Sequence, residues 1–368
     1  MASLSVCLIA KNEADCIEGA IKSVRDIADQ IVVIDTGSTD GTDEIARTAG
    51  AEVFSRPWSG SFAASRNESL AQATGDWILI LDADEKLDQK SIPALRELMA
   101  LPPAAYEIKI KNYMDDMLEE TASIHYTVRL FPNHIGLQYT GVIHEQIFCA
   151  NPEHNVQRKW CQDVTILHYG YRHSVVQAKE KTQRNHDLLL KAIMQEPTNP
   201  FHHFNLAQTL SIAGDQEGAL FELDRAIALL GCFDSAWRQT AWIQLLTLTY
   251  QIHGIEAAHQ VLENYPDDCK ENPDFWITLA HISEPMQAIA CYERAASYKG
   301  KPVQGRSDAS SSTWKPYLGI ANIWLKLGQP ETAYIYLTHA YRESPKNPLI
   351  RQQHRELHEI LTPILRGA

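Results

Sequence analysis

Ile78-Leu79-Ile80-Leu81-Asp82-Ala83-Asp84-Glu85 is an apolar run that stops abruptly at two carboxylates one residue apart. The aliphatic part reads as a buried strand. Side chains at i and i+2 of a strand point to the same side, so Asp82 and Asp84 are expected to converge on one divalent cation if the extended geometry persists to the strand end. Carboxylates suit hard ions, and Mn²⁺ or Mg²⁺ held by one or two of them keeps positions open for phosphate oxygens. Asp-x-Asp alone is more often a helix cap or a solvated turn, so its surroundings decide.

Upstream, Leu4-Ser5-Val6-Cys7-Leu8-Ile9-Ala10 reads as a strand that runs into the polar Lys11-Asn12-Glu13, then into an amphipathic helix carrying Ile17, Ile21 and Val24. Ile31-Val32-Val33-Ile34 is a second strand, ending in Asp35-Thr36-Gly37-Ser38-Thr39-Asp40-Gly41-Thr42. There the glycines permit tight turning and Asp40 can cap a helix that runs to Gly50. Glu52-Val53-Phe54, a loop at Trp58, a helix containing Ser65-Arg66-Asn67 and the opening strand follow. Such alternation predicts a mostly parallel sheet covered on both faces, and ligands of such sheets sit beyond the carboxyl ends of the strands. Ala10, Asn12, Glu13, Asp35 and the Asp82/Asp84 pair all fall at such ends. One nucleotide is therefore expected to reach all three loops.

The set Ala10-Lys11-Asn12-Glu13, Asp35 to Thr42, Ser65-Arg66-Asn67 and Leu81-Asp82-Ala83-Asp84-Glu85 resembles family 2 glycosyltransferases of the GT-A fold. Within them it is most similar to the bacterial branch in which a short transferase domain precedes tetratricopeptide repeats, including peptide S-glycosyltransferase-like enzymes. The resemblance covers roughly the first half of the chain. It implies inverting transfer from a nucleotide-diphosphate sugar, expected to be a UDP-sugar. Asp35 would contact the base or ribose, Arg66 would lie near the base or diphosphate, and Asp82 and Asp84 would surround the metal. Thr36 departs from the pattern, because many members carry a second acid at that place.

The rest of the domain must supply a base and an acceptor pocket. In Tyr139-Thr140-Gly141-Val142-Ile143-His144-Glu145 a glycine turn delivers an adjacent imidazole and carboxylate. Inverting transfer needs a base opposite the departing diphosphate, and a carboxylate within hydrogen-bond reach of the nucleophile serves. The resemblance also favours an acid, so Glu145 is the expected base and His144 its rival; a plain ion pair with Arg129 is the structural alternative. Arg129, in Arg129-Leu130-Phe131-Pro132, offers planar contacts to phosphate oxygens. In Ile166-Leu167-His168-Tyr169-Gly170-Tyr171, His168 is the candidate third metal ligand, and an imidazole would favour Mn²⁺ over Mg²⁺.

From about residue 198 onward only helical patterns occur, with the spacing of tetratricopeptide repeats. Leu206-Ala207, Leu210, Ala219, Leu223 and Ala226 form one unit, and Tyr317, Ile320-Ala321, Trp324, Gly328, Ala333, Leu337, Ala340 and Pro345 form another. Two degenerate units lie between them. The stretch from Gly300 to Ser312 reads as an exposed, mobile loop. The expected division is 1–185, a GT-A domain, and 186–368, an all-α repeat solenoid suited to an acceptor protein or peptide, a partner or a second copy of the chain. An inactive transferase domain on a repeat adaptor is the alternative function.

A net charge of −13 without a Lys/Arg run argues against nucleic-acid binding. The seven cysteines are scattered with no Cys-x-x-Cys and read as reduced residues of a cytoplasmic protein. No apolar run approaches the ~20 residues of a membrane span, and the chain start lacks the pattern of a signal peptide.

Overall fold

The computed structural model describes residues 2–113, 123–149, 156–169, 175–230, 237–301, 303 and 306–366. Gly170, Tyr171 and Pro302, which enter the sequence reading, lie outside them. The chain forms two compact units, residues 1–112 with 125–213 and residues 113–124 with 214–368.

The first unit is α/β. It runs β1 (Leu4–Ala10), α1 (Ile17–Val24), β2 (Gln30–Asp35), α2 (Thr42–Thr48), β3 (Glu52–Ser55), α3 (Phe62–Gln72), β4 (Trp77–Ile80), β5 (Glu85–Leu87) and α4 (Ile92–Ala100). Then come β6 (Ala105–Asn112), β7 (Ser123–Pro132), β8 (Leu137–Thr140), β9 (Gln146–Cys149), β10 (Arg158–His168), α5 (Val175–Gln195) and α6 (Pro200–Ala213). The main sheet has the order β3-β2-β1-β4-β7-β6-β10-β5. β3, β2, β1 and β4 are parallel, β7 runs antiparallel to β4, β10 is parallel to β6, and β5 is antiparallel to β10. β8 and β9 make a separate antiparallel hairpin.

Period-two alternation sorts the strand residues onto two faces. Leu4, Val6 and Leu8 pack with Val33, Leu79 and the α1 residues Ile17, Ile21 and Val24. Cys7 packs on the opposite face with Val32, Ile34, Ile78, Ile80 and Ala63. Both faces are apolar, so the central strands are covered on each side, as the continuous aliphatic runs predict.

The extended geometry assumed for Asp82 and Asp84 does not hold. β4 ends at Ile80, and the amide of Glu85 donates to the Asp82 carbonyl at 3.0 Å, closing a turn between the two strands. That turn separates the directions of the two carboxylates.

In the second unit α7 (Gln216–Leu230), α8 (Arg238–His253), α9 (Ile255–Glu263), α10 (Pro273–His281), α11 (Pro285–Ala296), α12 (Trp314–Lys326), α13 (Pro330–Glu343) and α14 (Pro348–Arg366) form the helical-repeat region. Sequence neighbours pack in pairs, α8 with α9, α10 with α11, α12 with α13 and α13 with α14. Small residues at the crossings, among them Ala258, Ala288, Ala295, Ala321, Ala333 and Ala340, are buried. Among the described residues no helix is long and apolar enough to cross a membrane.

The serine-rich segment is a correction. Ser307, Ser310 and Ser311 are buried rather than exposed. Asp308 explains this: one of its carboxylate oxygens accepts from the amide of Ser310 at 2.8 Å and the other from Lys315 Nζ at 2.5 Å, while its own amide donates to Asp274 at 3.0 Å. Small polar side chains enter a core when their hydrogen bonds are met inside it.

Candidate active site

The parallel register of β1 and β2 sets Ala10 beside Asp35. Thr36 donates its amide and its hydroxyl to the Ala10 carbonyl, at 3.0 and 3.1 Å. Asp35 is buried, and its Oδ1 accepts the amides of Gly37 and Ser38 at 2.9 Å each. The turn requires Gly37 at φ 108°, where a Cβ would be strained. Among the described residues, Asp35 Oδ2 is buried and accepts no hydrogen bond. Asn12, at φ 56°, donates its amide to Ser38 Oγ and accepts from the Thr39 amide, both at 2.9 Å. The Glu13 amide donates to Thr42 Oγ1 at 2.8 Å. The loops after β1 and β2 thus hold one another, leaving a buried acceptor between them.

Residues from α3, β7, the turn after β4 and the β8–β9 hairpin loop meet in one largely buried ion cluster, of which Asp82 is 31% exposed. Arg66, on α3, donates through Nη2 to Asp82 Oδ1 at 2.6 Å and through Nε to Glu145 Oε1. Arg129, on β7, donates through Nη2 to Asp82 Oδ2 and to Glu85 Oε1, at 2.9 Å each. The other Glu85 oxygen accepts the Asp82 amide at 2.8 Å. Arg66 also stands 5.5 Å over the Tyr139 ring. Both arginines are buried. Burial works against ionised Asp82, but Arg129 and Arg66 hold its carboxyl well below the usual carboxylate range. Burial pushes Glu85 up to about 7 despite Arg129. With three carboxylates facing two guanidinium groups, burial favours a proton on Glu85.

A second pairing lies beside this one. Asp84 Oδ2 and His168 Nε2 are 3.1 Å apart, and His168 Nδ1 is 2.6 Å from Asn112 Oδ1. His168 is placed there by two registers, opposite Asn112 on β6 and opposite Glu85 on β5. Burial opposes the imidazolium, yet the hydrogen bond and charge of Asp84 raise the His168 pKa above the ordinary histidine value.

The structure therefore brings Arg66, Asp82, Arg129 and Glu145 together in one cluster, and Asp84 with His168 in another. Glu145 pairs with Arg66, not with Arg129. His144 is exposed and takes φ 51° at the hairpin tip. Among the described residues no group of three or more His, Cys, Asp or Glu side chains is arranged to hold a metal ion. The donor chemistry of Asp84 and His168 nevertheless fits one: a carboxylate oxygen and an imidazole nitrogen face each other at a spacing that two ligands of about 2.0–2.2 Å bond length adopt around one ion. Glu85 and Asn112 were not singled out in the sequence. A third acid within four residues reads as solvated, and a polar residue ending an alternating strand carries no distinctive signal.

A profile of glycosyl transferase family 2 matches residues 5–149. A TPR repeat-containing protein of Synechococcus elongatus is 30% identical over 295 residues, covering 77% of this chain and 71% of the relative. The chain belongs to glycosyl transferase family 2. The SPbeta prophage-derived glycosyltransferase SunS of Bacillus subtilis is 26% identical over 223 residues, 60% of this chain and 52% of SunS. A solved glucosyl-3-phosphoglycerate synthase from Mycobacterium tuberculosis, in complex with Mn²⁺, UDP and phosphoglyceric acid, is 28% identical, covering 30% of this chain and 43% of its own, at a TM-score of 0.25. This family 2 glycosyltransferase thus aligns with about half the length of SunS, and its cluster at Arg66, Asp82, Arg129 and Glu145 lies inside the matched region.

Proposed function

We propose that this glycosyltransferase moves a sugar, with inversion, from a nucleotide-diphosphate sugar to an acceptor, and that the donor is a UDP-sugar used with Mn²⁺ or Mg²⁺. The observation that carries the reading is the Arg66 bridge, which joins Asp82 at the end of the β4 run to Glu145 of the hairpin. Support for the nucleotide comes from Asp35, whose buried Oδ2 awaits a donor such as a base N–H or a ribose hydroxyl. Ala10, Asn12 and Glu13, on the loop hydrogen-bonded to the one after Asp35, would adjoin the nucleotide. Arg66 and Arg129 are the cations suited to diphosphate oxygens.

Asp84 and His168 would hold the cation. When bound it would neutralise charge developing on the departing diphosphate. Asp82 aligns the two arginines while both its oxygens are engaged. Entry of the diphosphate would give Arg66 a third anionic partner that competes with Glu145, and Glu145 is then free to accept the acceptor's proton. The helical repeats are proposed to bind a protein or peptide acceptor, and the chain to work in the cytoplasm, where its cysteines stay reduced.

A panel of nucleotide sugars tested with Mn²⁺ for protection against heating identifies the donor. Transfer or hydrolysis of the protecting sugar nucleotide then tests the base, with Glu145→Gln expected to lose on the order of 10²–10⁴ in rate. Failure of every nucleotide sugar to protect would contradict the reading and leave a repeat-based adaptor.

A further inference from the structure

We propose that Asn112 is a positioning residue that sets the tautomer of His168, so that the ring presents Nε2 as a lone pair toward a cation shared with Asp84. The inference rests on the metal reading above. Four side chains form a hydrogen-bonded row across neighbouring elements of the first unit: His125 on β7, Asn112 on β6, His168 on β10 and Asp84 in the turn before β5. The parallel register of β6 and β10 puts His168 directly beside Asn112, so backbone pairing fixes the contact.

An amide has one end that donates and one that accepts. Asn112 Nδ2 lies 3.1 Å from His125 Nδ1, which turns its carbonyl oxygen toward His168 Nδ1, 2.6 Å away. A carbonyl oxygen only accepts, so Nδ1 of His168 carries the hydrogen. In the neutral ring Nε2 is then a bare lone pair, 3.1 Å from the Asp84 carboxylate. Two acceptors facing each other repel unless a positive centre lies between them, a proton on Nε2 in the absence of metal or a cation in its place. With Nδ1–H held by Asn112, the ring is set to exchange that proton for a divalent ion, for the same reason that metal-bound histidines donate their remote N–H to an oxygen: the second contact fixes ring orientation and raises basicity at the ligating nitrogen. Asn112 is largely buried, which strengthens that contact.

The test is Mn²⁺ affinity, read by electron paramagnetic resonance on the full chain without donor, in wild type, His168→Ala, Asn112→Leu and Asn112→Asp. Asn112→Leu keeps the volume and removes the acceptor, so affinity should fall about 10- to 100-fold. Asn112→Asp keeps an oxygen on Nδ1–H and should restore it. If Asn112→Leu fails to fold, His125→Phe releases the amide and should weaken Mn²⁺ in the same direction. Long-range ¹H–¹⁵N correlations, assigned by the signal missing in His168→Ala, should show the hydrogen on Nδ1 in wild type and its loss from that preference in Asn112→Leu. Undiminished Mn²⁺ affinity in Asn112→Leu beside a loss in His168→Ala would overturn the role of Asn112 alone, as would Asn112→Asp binding no better than Asn112→Leu. No Mn²⁺ affinity in wild type, or none lost in His168→Ala, would overturn the metal reading and the role of Asn112 with it.

Discussion

Asp82, Glu85 and Glu145 share two buried guanidinium groups, with Glu85 only 2% exposed and Asp82 31% exposed, so the charge on Glu85 depends most on its partners. Removing Arg129 should be costly, because Glu85, already desolvated, would lose its guanidinium partner. Arg129→Met is expected to lower stability by about 3–5 kcal/mol in urea denaturation; a loss below about 1 kcal/mol would mean that the cluster relaxes into solvent. Glu85 gives a pH signature. Its pKa in the folded protein is about 7, above the ordinary 4.5, so folding favours its protonated form. That contribution is complete below about 4.5 and is lost as the pH rises through 7. Wild-type stability relative to Glu85→Gln should therefore fall across that window, and parallel profiles for the two proteins would contradict the assignment. Arg66, Asp82, Arg129 and Glu145 were legible because each is a charged residue beside an apolar strand or a glycine turn. Glu85 was not, since its burial comes from β5 folding back onto β10, a pairing with no local signal.

Among the elements, turns and close crossings set what can change. The alternation of strand and helix over the first hundred residues was readable from aliphatic runs and glycine turns. The course of the chain beyond Ile80 was not, because a turn held by the Glu85 amide and the Glu85 side chain looks in sequence like a continued strand. The burial of Ser307, Ser310 and Ser311 was hidden for a related reason: composition reports polarity, not whether partners such as Asp308 lie alongside. Two glycines mark tight approaches. A Cβ on Gly75 would sit 2.7 Å from the Ser5 amide nitrogen and 2.9 Å from the Leu4 carbonyl carbon, both backbone atoms. Gly75→Ala should destabilise by about 1–3 kcal/mol, the usual cost of overpacking, by thermal or chemical denaturation. On α12, a Cβ on Gly319 would run into the Tyr292 ring of α11. Gly319→Ala should be similarly destabilising, and Tyr292→Leu should rescue it; an unrescued double variant would mean that the ring is not the obstacle.

At the scale of the molecule, a family 2 transferase fold and a run of stacked helices occur in one chain, and each was visible in the sequence through its own period. What the repeats bind was not, since concave helical surfaces are built from the same small residues whatever their partner. The catalytic unit can be tested apart from that question, because donor binding needs no acceptor. A ligand at 100 times its Kd stabilises the folded state by about 2.7 kcal/mol, enough to read as a shift in Tm. The most direct measurement is titration of UDP into the full chain with and without Mn²⁺, in wild type and in Asp84→Ala. Binding that requires Mn²⁺ in wild type and is lost in Asp84→Ala is the result predicted; UDP affinity that is absent, or the same with and without the ion in both proteins, would contradict a metal-bridged donor site at the end of β4.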